Sequence, residues 1–518
     1  MLAAASQKPI PPAPSDFSTG AEIRQQLPSV TAARKLAEHY FTDIYPRLPF
    51  FSTQGFWAQF EHVYGFSSQS TSHLADAHVV SGPSRSESSL NQGQISPRLP
   101  PSIPNSSEPA ADSSHGYDIF TVAIVLAISA SSLSSSSTSV IYGKANSLFQ
   151  TAIRFRESIS FANTVAGVQS ILFLIQFANL NPSSLDAWYL IGVGMRTCID
   201  LGLHQDPQPP SSVSPSLLET RRRIWWSMYS FDRSMSLSCC RPMEVSDSVI
   251  TALLPTFRIG LISENQAEAV STYLQRYRIL QIQSFIYDRL NEQWAVEGED
   301  GTIVIRDLAE KLENWSQNNS SADSTGLMRH ELLMGKMLLY RPCRLIPDRA
   351  LYDLEELWRS VLAFAQIYRA LAASNSLFYV RIASEKAYWT GLAMLFCYWR
   401  LAHHPHTSVL LRPSELWTAT RDVSFVLQAL SERWSQGKVL YSRFEDACTR
   451  VIKATEPDIN GANRTAHNHT EIPEEVRTFC NYSSLTSIWT AGREKGSSEV
   501  QAEELRDLAL TLEGWQEA

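Results

Sequence analysis

Apolar residues along this chain recur mainly at three- and four-residue spacing, the repeat of a helix with one buried face. The pattern predicts helices near 142–158, 161–179, 183–202, 216–237, 263–293, 303–315, 325–341, 353–373, 376–401, 413–433 and 438–453. Upstream, Thr31 to Phe41 reads as a helix that Pro46 and Pro49 bring to an end, and a short helix follows near Gly55 to Tyr64. Asp118 is placed to cap an apolar helix through Ala130, which the serine run Ser131 to Ser137 interrupts. No long run of period-two alternation separates these segments, so the expected class is all-α, a large multi-helix domain.

Three stretches break the pattern. Residues 1–28, rich in Pro, Ala, Ser and Gln, read as a disordered tail. Residues 67–114 are rich in Ser, Pro and Asn and poor in large apolar side chains, so they read as a disordered insertion. Residues 456–518 open with a loop (EPDINGANRTAHNHT) and close with a helical segment near Ser498 to Trp515. Within it, Glu499 to Glu517 holds six acids and one arginine, with Leu505, Leu508, Leu512 and Trp515 at helical spacing. An acidic amphipathic segment of this kind can recruit transcription machinery or dock on its own domain. Residues 29–455 form the folded unit between.

Composition narrows the function. A net charge of −8 argues against nucleic-acid binding by bulk electrostatics. The seven cysteines (Cys198, Cys239, Cys240, Cys343, Cys397, Cys448 and Cys480) are scattered and suggest neither a disulfide framework nor a zinc site. The N-terminus lacks a charged-then-apolar leader pattern, and the apolar run Ile119 to Ile128 is well short of the roughly 20 residues that span a bilayer. A soluble protein of the nucleus or cytosol, without a membrane partner, is the expectation.

The densest chemistry lies between Asp186 and Asp247. In DAWYLIGVGMRTCIDLGLHQD, Trp188, Ile191, Met195, Cys198 and Ile199 share a helix face. Gly192 and Gly194 inside that helix point to a close helix contact, and Gly202 is suited to a left-handed cap. Ser216 to Glu219 reads as a capping box opening LLETRRRIWWSMYSFDRSMSL, with Leu217, Ile224, Met228, Phe231 and Met235 as an apolar stripe widened by Trp225. Basic and aromatic residues interleave at Arg221-Arg222-Arg223 and Trp225-Trp226, as nucleic-acid surfaces can. The favoured reading is a structural brace: Glu219 serves Arg222 or Arg223, Asp232 pairs with a cation such as Arg196, and the indoles fill the core.

These segments resemble the fungal-specific transcription factor domain, the middle homology region of zinc binuclear cluster regulators. The resemblance rests on AWYLIGVGMRTCIDLGLHQD, on ETRRRIWWSMYSFDRSMSLSCCRPMEVSD, on Leu254-Pro255, and on weaker matches at Tyr45-Pro46 to Phe50, 332–343, 388–399 and 430–447. The signature positions are Trp188, Arg196, Gly202, His204, Arg222, Arg223, Trp225, Trp226, Asp232, Arg233, Arg241 and Pro242. Cys239-Cys240 stands where a small residue and a glycine are commoner. The family's zinc cluster needs six closely spaced thiolates, and no cysteine precedes Cys198, so no zinc or other cofactor is expected in this chain.

The resemblance implies a transcription regulator in the nucleus, typically of metabolic or secondary-metabolite genes. DNA would be reached through a partner or through a zinc cluster encoded upstream. Possible partners are a second copy, a zinc-cluster factor or a small-molecule effector. The alternative is a co-regulator or ligand-binding module that dimerises with such a factor. An enzyme with a helical pocket is the weakest reading. No G-x-S-x-G elbow, P-loop or strand-linked G-x-G-x-x-G occurs, and Met334 stands where His330-Glu331 would need a second histidine for a zinc protease. His403-His404-Pro405-His406 reads as an exposed loop, and His204 as a helix-end residue.

Overall fold

The computed structural model describes residues 26–65, 111–156, 159, 164–208, 213–239, 241–257, 264–291, 300–319, 327–343, 346–402, 412–455, 473 and 476. Among them the structure is all-α, with no strand. The helices are α1 (Val30–His39), α2 (Thr53–Tyr64), α3 (Ala111–Ser132), α4 (Val140–Ile153), α5 (Val165–Leu180), α6 (Ala187–Asp200) and α7 (Pro215–Cys239). They continue as α8 (Glu264–Asn291), α9 (Gly301–Asn319), α10 (Leu327–Tyr340), α11 (Leu351–Ala373), α12 (Val380–Ala402), α13 (Pro413–Ser431) and α14 (Gly437–Thr455). The expected metal-free His403 loop and acidic C-terminal segment lie outside the described residues, as does most of the 1–28 tail and the 67–114 insertion.

Two hydrophobic cores meet along α7, α8 and α12. The first gathers α1 to α7 around an aromatic knot. There Phe51 packs on Phe173 at 4.9 Å and on Tyr45 at 5.2 Å, and Phe41 packs on Phe56 at 5.1 Å. The second gathers α9 to α14. Helix α3 runs through the first core with Ile119 to Ile128 all buried, and it packs on α2, α4 and α5. Burial on every side explains its nearly continuous apolar character, broken only by Thr121 between Ile119 and Ile128. Its window His115–Ser132 is long and apolar enough to cross a bilayer, yet 89% of it is buried inside the bundle.

Several local expectations change. Asp118 does not cap α3, which starts at Ala111 and so takes in the last residues assigned to the insertion. Instead Asp118 meets His62 of α2 at 2.7 Å. Residues 26–28 are docked: Leu27 is buried and the Pro28 carbonyl accepts a bond from Tyr64 Oη at 3.1 Å. Past α1 the backbone widens into a π-helical turn, Tyr40–Ile44, and then tightens into a 3₁₀ turn, Tyr45–Arg47. Pro46 fits the start of that tight turn, where no amide proton is required of it. Helix α12 begins at Val380, four residues later than its periodicity suggested.

Helix α6 ends as its sequence implies. Gly202 has φ +62°, with Leu203 N bonded to Cys198 O and Gly202 N bonded to Ile199 O, both at 2.8 Å. This pair of bonds is a Schellman cap. Gly194 is the true site of close approach: a Cβ there would lie 2.3 Å from Met228 Cε on α7 and 3.2 Å from Ile171 Cγ2 on α5. Gly192 is not, since its nearest neighbour beyond the helix would be Glu244 Oε1 at 3.5 Å. Ile199 points to solvent and does not join the buried face.

Helix α7 departs furthest from its reading. Ser214 Oγ, not Ser216, accepts from the Leu217 amide at 3.2 Å, and Leu217 is exposed. From Arg223 to Cys239 every residue is buried, serines and charges included. The helix is therefore not an amphipathic surface helix; its polar face is turned toward other helices. Trp225 is fully buried near the centre of this arrangement. Trp225→Ala should lower unfolding stability by about 3–5 kcal/mol, because it removes a fully buried indole and leaves a cavity. Urea denaturation of wild type and variant measures this, and an unchanged midpoint with unchanged slope would refute the core placement.

Candidate functional site

The polar residues of α7 are consumed by three sets of partners. At its N-terminal end, Arg221 Nη2 donates to the carbonyls of Leu201 and Gly202 at 3.1 and 2.9 Å, closing the end of α6. Arg222 grips Asp206 with Nε (3.1 and 3.2 Å) and Nη2 (2.5 Å), and Asp206 also accepts from the Leu253 amide at 3.2 Å. Arg223 pairs one turn back with Glu219 at 3.1 Å. Glu219 in turn accepts from the amides of Thr256 (3.1 Å) and Phe257 (2.7 Å). Burial pulls the Glu219 carboxyl upward, but those two amides and Arg223 outweigh it and hold it below its usual value. Phe257 has φ +56°, a costly conformation for an aromatic residue, held here by the Glu219 bond and by Arg223 stacked 5.0 Å from its ring.

The second set surrounds Arg233, whose side chain is wholly shielded from solvent. Its guanidinium bonds Asp232, the Val245 carbonyl at 2.6 Å, Ser284 Oγ of α8 at 3.0 Å and Asp247 at 3.3 Å. It also lies 4.3 Å from the Tyr229 ring, and Tyr229 Oη donates to Asp247 at 2.8 Å. Asp232 thus pairs with its neighbour in sequence, not with Arg196, which is exposed on α6. Burial raises the Asp232 carboxyl to about 6 against the opposing pull of Arg233.

The third set lies between α7, α8, α10 and α12. Glu331 meets Lys386 Nζ at 3.0 Å, Arg276 Nε at 3.3 Å and His330 Nε2 at 3.4 Å. Arg276 Nη1 and Nη2 donate to Ser230 and Ser234 of α7 at 2.8 and 3.0 Å. Gln283 Nε2 donates to the Glu331 carbonyl at 2.8 Å. Burial opposes the Glu331 charge, but Lys386, His330 and Arg276 prevail and hold its carboxyl well below the usual range. Burial moves Lys386 the other way, below its ordinary value.

The remaining signature residues lie around these sets. Trp226 Nε1 donates to the Leu253 carbonyl at 2.9 Å, and Trp188 lies under Arg241 at 4.6 Å. The Pro242 carbonyl accepts from Ser236 Oγ at 3.2 Å. The His204 carbonyl accepts from the amides of Thr251 and Ala252, and partial burial lowers its imidazole pKa. Cys240 lies outside the described residues. Arg276, Lys386 and Asp247 were not among the sequence candidates, and Glu331 was weighed only against a zinc-protease motif, although a charge inside an apolar helical run, as in LMRHELLM or SEKAYWTGLAML, was the available signal. Among the described residues no group of three or more His, Cys, Asp or Glu side chains is placed to hold a metal.

Residues 37–290 match the family model described as the fungal specific transcription factor domain. Among curated proteins, the chain is 28% identical over 165 residues to the positive regulator of purine utilization of Emericella nidulans, covering 25% of this chain and 16% of that protein. It is 28% identical over 233 residues to Protein STB5 of Saccharomyces cerevisiae (39% of this chain, 31% of that protein). It is 24% identical over 277 residues to the acetamidase regulatory protein of Aspergillus oryzae (51% and 34%). The matched stretches thus span well under half the length of these relatives.

A fourth buried acid gives a test of how far the interior controls charge. Glu385 of α12 is buried near Arg381 and Arg241, and burial outweighs both cations and raises its carboxyl from 4.5 to about 8. Folding therefore takes up a proton at this position between those two values. The stabilisation it gives is complete below about pH 4.5 and declines as pH rises to about 8, by at most about 1.4 kcal/mol per unit. Glu385→Gln should remove that slope. Unfolding free energies of both proteins at pH 5, 6.5 and 8 measure it, and parallel pH dependences would refute the shift.

Proposed function

We propose, from a chain that belongs over residues 37–290 to the fungal specific transcription factor domain family, that it regulates transcription through a helical regulatory domain. The family match is the observation that carries this reading. Two of the three named relatives are regulators of purine utilization and of acetamidase, which favours metabolic genes as targets. Action in the nucleus follows from the same role.

In this proposal the chain does not read DNA with its basic run. Arg221, Arg222, Arg223 and Arg233 each donate to carbonyls or carboxylates of the domain itself. The net charge of −8 also opposes approach to a polyanion. DNA contact is assigned to zinc-cluster chemistry outside these residues, on a partner or on a preceding segment. The signature residues are assigned a bracing role.

Fusing residues 1–518 to an unrelated DNA-binding domain tests the regulatory role. Reporter output is expected to differ from that of the DNA-binding domain alone, and identical output would count against it. Gel-shift titration of the unfused chain should show only weak, salt-sensitive, sequence-independent binding. Tight sequence-specific binding would overturn the assignment of DNA reading to another chain or segment.

A further inference from the structure

Beside the Glu331 cluster lies a small cleft that opens to solvent. Its inner wall carries Arg276, Lys386, Glu331 and His330, and Arg47 stands on its lining from the turn after α1. Two features of this wall point to a ligand. The first is charge. Arg276 and Lys386 supply two positive charges against the one negative charge of Glu331, and the Lys386 side chain is only 4% exposed. A cation left without a matching anion in such surroundings is costly, and a bound anion would relieve it. The second is the apolar lining beside this charged wall, from Phe378 and Ile382.

The other walls select among anions. Met328, Phe378 and Ile382 line the same cleft. Arg47 lies 4.2 Å from the Phe378 ring and holds its charge beside that wall. A fully hydrated inorganic ion would gain nothing from these side chains, whereas an organic acid would bury its hydrocarbon part on them. We propose that this cleft binds a small organic monocarboxylate, its carboxylate facing Lys386 and Arg276 and its apolar part on Phe378 and Ile382. One negative charge balances the inner wall. The ligand would hold α8, α10, α12 and the turn after α1 together, which join the two cores. The site rests on the proposed regulatory function only for the consequence of binding.

The purified full chain is titrated calorimetrically with benzoate, phenylacetate and butyrate, and with the uncharged benzamide, at fixed ionic strength. Saturable binding of at least one carboxylate, with benzamide weaker by roughly tenfold or more, is expected from loss of the charge-assisted contact. Lys386→Met should remove the preference for the acid. Arg47→Ala, at a half-buried turn position, should weaken the carboxylate several-fold and supplies the test if Lys386→Met does not fold. No saturable binding of any of the three acids, equal binding of benzamide, or undiminished affinity in the folded variants would overturn the site. The measurement involves no DNA or reporter, so its failure would leave the transcriptional reading standing.

Discussion

The guanidinium of Arg233 is the constraint around which the centre of the molecule is arranged. It is removed entirely from water, and a lone cation there would be prohibitively costly. Its partners come from three places: Asp232 on α7, the 245–247 segment, and Ser284 on α8. Satisfying one side chain therefore fixes where the chain runs after α7 and how α8 lies against it. Because Arg233 is rigid, planar and always charged, none of these partners can be lost without leaving donors unpaired.

The same logic extends along α7. Its serines at 230 and 234 receive Arg276, and Arg276 reaches Glu331, which holds Lys386 on α12. Polar atoms thus link both hydrophobic cores through the helices they share. Such interior ion networks contribute little net stability compared with well-packed apolar residues, yet they tolerate few alternative arrangements. In an interior of this kind a change at one charge alters the energy of its neighbours.

The arginine-rich start of α7 shows how composition misleads about surfaces. Three consecutive arginines beside two tryptophans look like a nucleic-acid face, but each guanidinium is directed inward or along the domain. Arg221 caps α6, Arg222 holds Asp206, and Arg223 secures Glu219 and the strained Phe257. The charges organise the 250–257 segment, over which Trp226 also donates to Leu253.

Residue order alone determined what depends on near neighbours. The three- to four-residue apolar repeat gave the helical class, Gly202 gave the end of α6, and the Asp186 to Asp247 signature gave the resemblance to the fungal-specific transcription factor domain. Each is written within a few turns of backbone, where helix geometry fixes which residues meet. Helical spacing already paired Glu219 with Arg223, but the tertiary structure decided the partners of Asp232 and Glu331. Asp232 chose Arg233 over Arg196, and Glu331 found Arg276 and Lys386, each 55 residues away. It also decided that the polar face of α7 points inward. Helical period tells a polar face from an apolar one but cannot say whether water or another helix lies beyond it, because that depends on contacts between segments far apart in the chain.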